Sequence, residues 1–285
     1  MVIMVQSKVA VVTGASGGFG SLTVVNLAKQ GYVVLAAMRD VSKVSVFEPF
    51  QNEKWYKQII PVPLDVTKEE SIRDFQYYIE KIGRCDVLVN NAGFALGGFS
   101  EEIQMSEYRD QFETNVFGVM GVTQTVLPLM RQQRFGKVIN VSSISGLFGF
   151  PGLSPYVSSK YALEGYSESL RLEVKPFGID VALVEPGSYR TNIWSSGRVV
   201  TEQSLKKDSP YFDYMERIEQ ELKNGEDSLG DPQEVADLIS QLADRKMIRN
   251  LRYPVGKGVK GMVKAKTILP WSALEKLILK KLKRI

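Results

Sequence analysis

Short, near-continuous apolar runs alternate along this chain with longer segments whose apolar residues recur at helical intervals. Residues 8–13 form the first run, which ends in a glycine cluster, and 22–30 carry the first helical spacing. Runs at 32–38 and 58–64 predict the second and third strands, and the amphipathic stretch 68–82 predicts a helix after them. A fourth strand is predicted at 86–90, followed by a long helix over roughly 105–131. Strands at 137–142 and 179–184 flank a helical segment from about 154 to 175. A helix at 231–243 is well started, since Asp231 can cap it and Pro232 takes its first position. Arg252–Val255 reads as a last, edge strand, where Pro254 is tolerated.

Strands that are apolar throughout, rather than alternating, belong to parallel sheets covered on both faces. The pattern therefore predicts an α/β fold: a doubly wound, Rossmann-type parallel sheet of about seven strands with helices on both faces. The rhythm breaks over 188–230, where turn residues, charges and aromatics cluster.

Charge is unevenly placed. Of 36 Lys and Arg, 13 lie from Arg245 onward, where Glu275 is the one acid among the chain's 32, so an acidic body precedes a basic tail. Within the tail, 269–285 has helical spacing: Trp271, Leu274, Ile278 and Leu282 make one stripe, and Lys276, Lys280, Lys283 and Arg284 gather on another face. Two readings stand, a helix docked on its own subunit or peripheral contact with an anionic membrane surface through 269–285. Nucleic acid is not expected, because no stacking aromatics are interleaved with the charges. No apolar run approaches the ~18 residues of a membrane span, and residues 1–6 are too short for a secretory signal. Cys85 alone cannot form an internal disulfide, so a reducing, cytoplasmic compartment is expected.

The histidine count is zero, which excludes a Ser-His-Asp triad and any histidine metal site. No metal site is expected. Acid–base chemistry near neutral pH must come from carboxylate, lysine or tyrosine with a displaced pKa.

Two features carry candidate chemistry. The first is Thr13-Gly14-Ala15-Ser16-Gly17-Gly18-Phe19-Gly20, between a strand and a helix, where glycines let backbone approach a pyrophosphate and a helix N-terminus offers free N–H groups. Thr23 stands where a strict GxGxxG would need its third glycine, and both TGxxxGxG and TGxxGxxG fit. The second strand ends in Met38-Arg39-Asp40. An acid there binds the 2′-hydroxyl of NAD and an arginine accommodates the 2′-phosphate of NADP, so Arg39 favours NADP and Asp40 keeps NAD open.

The second is Tyr156 with Lys160, four apart on one helix face, where an ammonium lowers a phenol's pKa from its usual ~10. The spacing recurs at Tyr77/Lys81 and Tyr253/Lys257, so context must choose. Ser143 follows a strand end upstream of Tyr156, Asn90-Asn91-Ala92-Gly93 ends another strand in the same layer, and Asn115 sits in a predicted helix that disfavours it.

These motifs, in this order, resemble the short-chain dehydrogenase/reductase family in its classical branch, over about residues 8–256. The nearest flavour is steroid- and retinoid-dehydrogenase-like, through Ala37-Met38-Arg39-Asp40 and Tyr253-Pro254-Val255-Gly256. The resemblance implies one dinucleotide-binding and catalytic domain over 1–256, a substrate-cover insertion at about 188–230, and a basic amphipathic extension over 257–285. It implies an oxidoreductase interconverting an alcohol and a carbonyl, with Asn115, Ser143, Tyr156 and Lys160 as catalytic tetrad. Tyr156 acts as acid/base, Ser143 orients the carbonyl, Lys160 holds ribose, and Asn115 anchors a relay water. The cofactor would lie on Gly14, Ser16, Gly18, Phe19 and Gly20, on Arg39, on Asp65 and Val66, on Asn91 and Gly93, on Tyr156 and Lys160, and on Pro186, Gly187 and Thr191. One departure is Gly17, where some NADP-dependent relatives carry a serine. A homodimer or homotetramer is implied as well. Trp194, Tyr211, Phe212, Tyr214, Met215, Phe148 and Phe150 would, if they face the site, make its pocket apolar and suited to a hydrophobic substrate. A catalytically silent dinucleotide-binding sensor on the same fold is the alternative.

Overall fold

The computed structural model describes residues 7–191 and 198–283. Seven parallel strands form one sheet in the order β3-β2-β1-β4-β6-β7-β9. They are β1 (Val9–Thr13), β2 (Val33–Met38), β3 (Ile59–Pro63), β4 (Val87–Asn90), β6 (Gly136–Val141), β7 (Ile179–Pro186) and β9 (Arg252–Val255). The chain lays down β1, β2 and β3 outward in one direction, then returns to place β4 on the other side of β1. That reversal opens a crevice beyond the carboxyl ends of β1 and β4, where open α/β sheets bind ligands.

The central strands are buried at every position, as their unbroken apolar sequences require. Two cores follow, one on each face. On one face α1 (Gly18–Lys29) and α7 (Pro232–Asp244) pack together, with Leu27, Val235, Ile239 and Leu242 against β1, β2 and β7. On the other, α2 (Glu69–Ile82), α4 (Gly118–Gln133) and α5 (Ser154–Val174) cover Val11, Leu88, Val138 and Val181. Asp231 caps α7 by accepting from the Gln233 amide at 2.9 Å.

Four segments depart from the pattern reading or fill stretches it left unassigned. The long helix is interrupted: α3 (Met105–Phe112) passes through a π-helical turn, Glu113–Phe117, before α4. Residues 41–50 wind into 3₁₀ turns capped by Asp40. A small parallel pair, β5 (Ala95–Gly97) with β8 (Arg198–Val200), joins the loop after β4 to the 188–230 region, which also holds α6 (Phe212–Asn224). The Gly- and Lys-rich segment after β9 forms α8 (Val259–Ile268), followed by α9 (Trp271–Lys283). Among the described residues no helix is long and apolar enough to cross a membrane.

Ile239 on α7 is fully buried between α1 and the sheet, remote from the crevice. Ile239→Ala is expected to lower stability by about 2–5 kcal/mol through lost burial and the cavity left behind. Urea denaturation checks this, with nicotinamide-nucleotide binding by the folded fraction unchanged.

Candidate active site

The crevice is a cleft of about 840 Å³ lined from the glycine loop to Tyr156 and Lys160. Its floor is held by a backbone contact closer than side chains allow. Asn91, just past β4, donates from Nδ2 to the carbonyls of Thr13 (3.0 Å) and Gly14 (3.1 Å), and Thr13 Oγ1 accepts from the amides of Asn91 and Ala92. A Cβ on Gly20 would collide with the Gly14 carbonyl oxygen, and one on Gly14 would stand 2.9 Å from Ala92 Cα. Gly14 and Gly18 also hold positive φ, +63° and +54°. Gly17 precedes α1 with no side-chain cap, and the first turn contains no acid. The resulting helix N-terminus presents backbone N–H groups and no competing negative charge, which fits a dinucleotide's pyrophosphate. Ser16 and Phe19 line the cleft beside it.

At the end of β2, Asp40 is already engaged. Its Oδ1 accepts from the Ser42 hydroxyl (2.6 Å) and amide (3.0 Å), which hold the carboxyl below the usual range. Arg39 and Lys43 line the cleft on either side of it. Across from them, burial works against the Asp65 carboxylate. The Thr67 hydroxyl and amide, with Arg39 and Lys68, outweigh it and keep that carboxyl below its usual value. Val66, Asn91, Gly93, Pro186, Gly187 and Thr191 complete this wall.

The chemical end of the cleft draws on β6 and α5. Ser143 follows β6 and starts a short 3₁₀ turn, its Oγ accepting from the Ser145 amide at 3.1 Å. Tyr156, 3% exposed, hydrogen-bonds the Ser143 side chain. Burial pushes the Tyr156 phenol up to about 12, with the Ser143 bond opposing, and burial pulls the Lys160 ammonium down to about 8, with Glu164 opposing. Lys160 Nζ donates to the Val141 carbonyl at 2.8 Å and lies 5.7 Å from the Tyr156 ring centroid. Desolvation outweighs the Ser143 hydrogen bond, the lowering by Lys160 expected from sequence does not emerge, and the protonated phenol is the favoured form of Tyr156. The decoy pairs fall elsewhere: Tyr77 is 63% exposed on α2 with Lys81 over its ring, and Tyr253 sits on edge strand β9, its hydroxyl accepting from the Asn250 amide.

Asn115 is buried in the π-helical turn, not in a regular helix. Its Nδ2 donates to the Phe94 carbonyl (3.0 Å) and Ser159 Oγ (3.2 Å), and its Oδ1 accepts from the Phe94 amide (3.2 Å). The turn adds one residue to the helix, a device frequent at functional sites, and it aims Asn115 at the chain leaving β4.

Behind Lys160 lies a cluster the sequence did not flag. Glu164, one turn further along α5, and Glu185, on β7, are both buried beside Arg252, whose Nε is 3.0 Å from Glu164 and 3.3 Å from Glu185. Burial first, then the neighbouring Glu164 charge, raises Glu185 to about 8 despite Arg252, and burial raises Glu164 as well. Tyr189, fully buried, was also missed. It supports Phe19 edge-on at 5.6 Å and donates to Glu234 at 2.8 Å, and a Cβ on Gly230 would overlap its ring. Only the turn sequence around it could have hinted at this role. Among the described residues, the aromatics expected at the substrate side do not line this cleft. Tyr211 and Tyr214 pack on Phe99, Phe148 joins a cluster with Val259 and Leu274, and none of these, nor Phe150, Phe212 or Met215, lines the cleft. Trp194 lies outside the described residues. No group of three or more potential metal-ligating side chains occurs among the described residues.

Comparison with known proteins places this geometry. The family model described as short chain dehydrogenase matches residues 8–199. An uncharacterized oxidoreductase of Bacillus subtilis, YusZ, is 51% identical over 97% of this chain and 99% of its own. A 3-ketodihydrosphingosine reductase of Bacteroides thetaiotaomicron is 39% identical over 77% of this chain and 79% of its own. Among solved structures, ElxO with NADP bound is 28% identical, with a TM-score of 0.74 over 90% of this chain and all of that one (100%).

Glu185 generates a stability prediction. A carboxyl at about 8 in the folded chain, against an ordinary value of 4.5, binds its proton more tightly folded than unfolded. Its contribution is therefore fully present below the ordinary value and is lost as pH rises toward 8. With histidine at zero, no imidazole titrates in that window. Urea midpoints of the wild type should fall between pH 5.5 and 8 more steeply than those of Glu185→Gln, and parallel slopes would contradict the assignment.

Proposed function

Given that this chain belongs to the short-chain dehydrogenase/reductase family, nicotinamide-dependent oxidoreductases of the CH–OH/C=O pair, we propose that it is an NADP(H)-dependent reductase of a hydrophobic carbonyl compound. The observation that carries the reading is the neutral, buried Tyr156 hydroxyl bonded to Ser143 in the same cleft as the glycine loop. A phenol that stays protonated near pH 7 is the donor form that carbonyl reduction needs. In this reading Ser143 donates to the carbonyl oxygen and orients it, and Tyr156 delivers the proton to that oxygen as charge develops there. Lys160, weakly basic for an ammonium, would hold the nicotinamide ribose and return a proton to Tyr156, with a water anchored by Asn115 relaying protons to Lys160. The bound nicotinamide supplies the hydride, and the protein supplies its placement.

NADP is favoured over NAD because the acid at the end of β2, Asp40, is consumed in capping, while Arg39 and Lys43 both border the cleft. ElxO, with NADP bound, is a related case. A hydrophobic substrate is supported by the name of the Bacteroides relative, 3-ketodihydrosphingosine reductase, and by Phe94 and Val199 at the cleft. Two copies pair in this reading through the long helical stretch 105–131 and α5, where Phe117 of the π-helical turn and Leu172 are exposed.

Tyr156→Phe is expected to lower turnover about 10²–10⁴-fold while NADPH binding persists. Unchanged turnover of a ketone substrate would remove Tyr156 as the acid. Arg39→Ala should weaken NADPH binding about 10–100-fold and leave NADH binding nearly unchanged, as read by nicotinamide fluorescence. Equal losses for both cofactors would sink the NADP assignment.

A further inference from the structure

The C-terminal helices combine two properties that a water-facing surface rarely holds together. At the corner between α8 and α9, Ile268 is 78% exposed and Trp271 57%, and Leu269 is exposed between them. Further along α9, Leu277 is 58% exposed and Leu279 43%. Around these apolar side chains stand exposed Lys260, Lys264, Lys276 and Lys280, which form no ion pair among the described residues. Glu275 is the one acid of the two helices.

The surface is also held in place. Leu274 is buried with Ile144, Phe148 and Val259, so α9 is pinned on one side while Trp271, Leu277 and Leu279 stay exposed. Lys266 Nζ donates to Tyr161 Oη at 2.8 Å and lies over Phe148 at 5.3 Å. A methyl group on Gly149 would touch the Trp271 ring. The corner is thereby fastened to the loop that follows Ser143.

We propose that α8 and α9 form a docking surface for an anionic lipid bilayer. Apolar side chains interleaved with unpaired lysines match the two components of such an interface, acyl chains at the headgroup boundary and negative headgroups. A second copy of the chain fits less well, because a two-fold pairing through this patch would set its lysines against themselves.

The test uses the full chain, without substrate, sedimented with vesicles of phosphatidylglycerol and phosphatidylcholine in equal parts and with vesicles of phosphatidylcholine alone. Binding to the mixed vesicles alone is expected, falling about tenfold or more when salt is raised. The tryptophan emission should shift to the blue on binding, and Trp271→Phe should lose that shift. Two double variants at exposed positions, Leu277→Ser with Leu279→Ser and Lys276→Glu with Lys280→Glu, should each weaken partitioning while NADPH binding is kept. The wild type remaining in the supernatant with mixed vesicles overturns the proposal. So does equal binding by both double variants, or conversion of a wild-type oligomer to monomers by either of them in gel filtration, which would assign the surface to a second copy. Because wild-type partitioning is read without turnover, its failure is separate from any failure of the reductase assignment.

Discussion

The close approach of two backbone segments at the sheet's switch point constrains everything assembled around it. β1 and β4 are neighbours although β2 and β3 lie between them in sequence, and the chain just past each strand meets at Gly14, Gly20 and Asn91. No Cβ fits at Gly14 or Gly20, and the space they leave lets the Asn91 side-chain amide bond the Thr13 and Gly14 carbonyls directly. That clamp fixes where α1 begins and therefore where its uncapped N–H groups point. It also sets the start of the 91–97 segment, which Asn115 and Gln111 grip from the α3–α4 side. The glycine loop and the 91–97 wall of the cleft are two consequences of one contact.

Burial is the second organising influence, because a chain without histidine must displace the pKa of other groups to do chemistry near neutral pH. Tyr156 goes up, Lys160 goes down and Glu185 goes up, all with desolvation as the largest cause. These groups lie on α5 and β7, whose packing in the parallel sheet excludes water. The layers that stabilise the fold thus also set the protonation of the groups at its cleft. Arg252 on β9 supplies one shared cation to the buried Glu164 and Glu185, but burial outweighs it and both carboxyls are pushed toward their neutral forms.

Much of this was legible along the chain. Apolar runs without alternation can be satisfied only by a sheet covered on both faces, so the parallel α/β architecture was written in the pattern. The glycine loop was legible because glycine's conformational freedom is local, and the Tyr156–Lys160 pair because four-residue spacing on a helix is local too. Choosing that pair over Tyr77/Lys81 already required neighbours from other strands. Asp40 illustrates the limit: beside Arg39 it reads as a ribose ligand, yet it is spent on Ser42 because the chain turns into 3₁₀ helix there. Likewise Tyr211 and Tyr214 were visible, but their direction was not, and they pack on Phe99 instead of lining the cleft.

The sequence by itself therefore determined the class of fold, the glycine-rich loop, the four-residue spacing of Tyr156 and Lys160 and the basic tail, because each rests on periodicity, backbone freedom or charge that a short segment carries alone. Only the tertiary structure decided the π-helical turn at Asn115, the pairing of Glu164 with Glu185, the pillar at Tyr189 and which tail side chains stay in water. Each of these joins residues from separate elements, and burial, which sets their energies, exists only once the layers have closed.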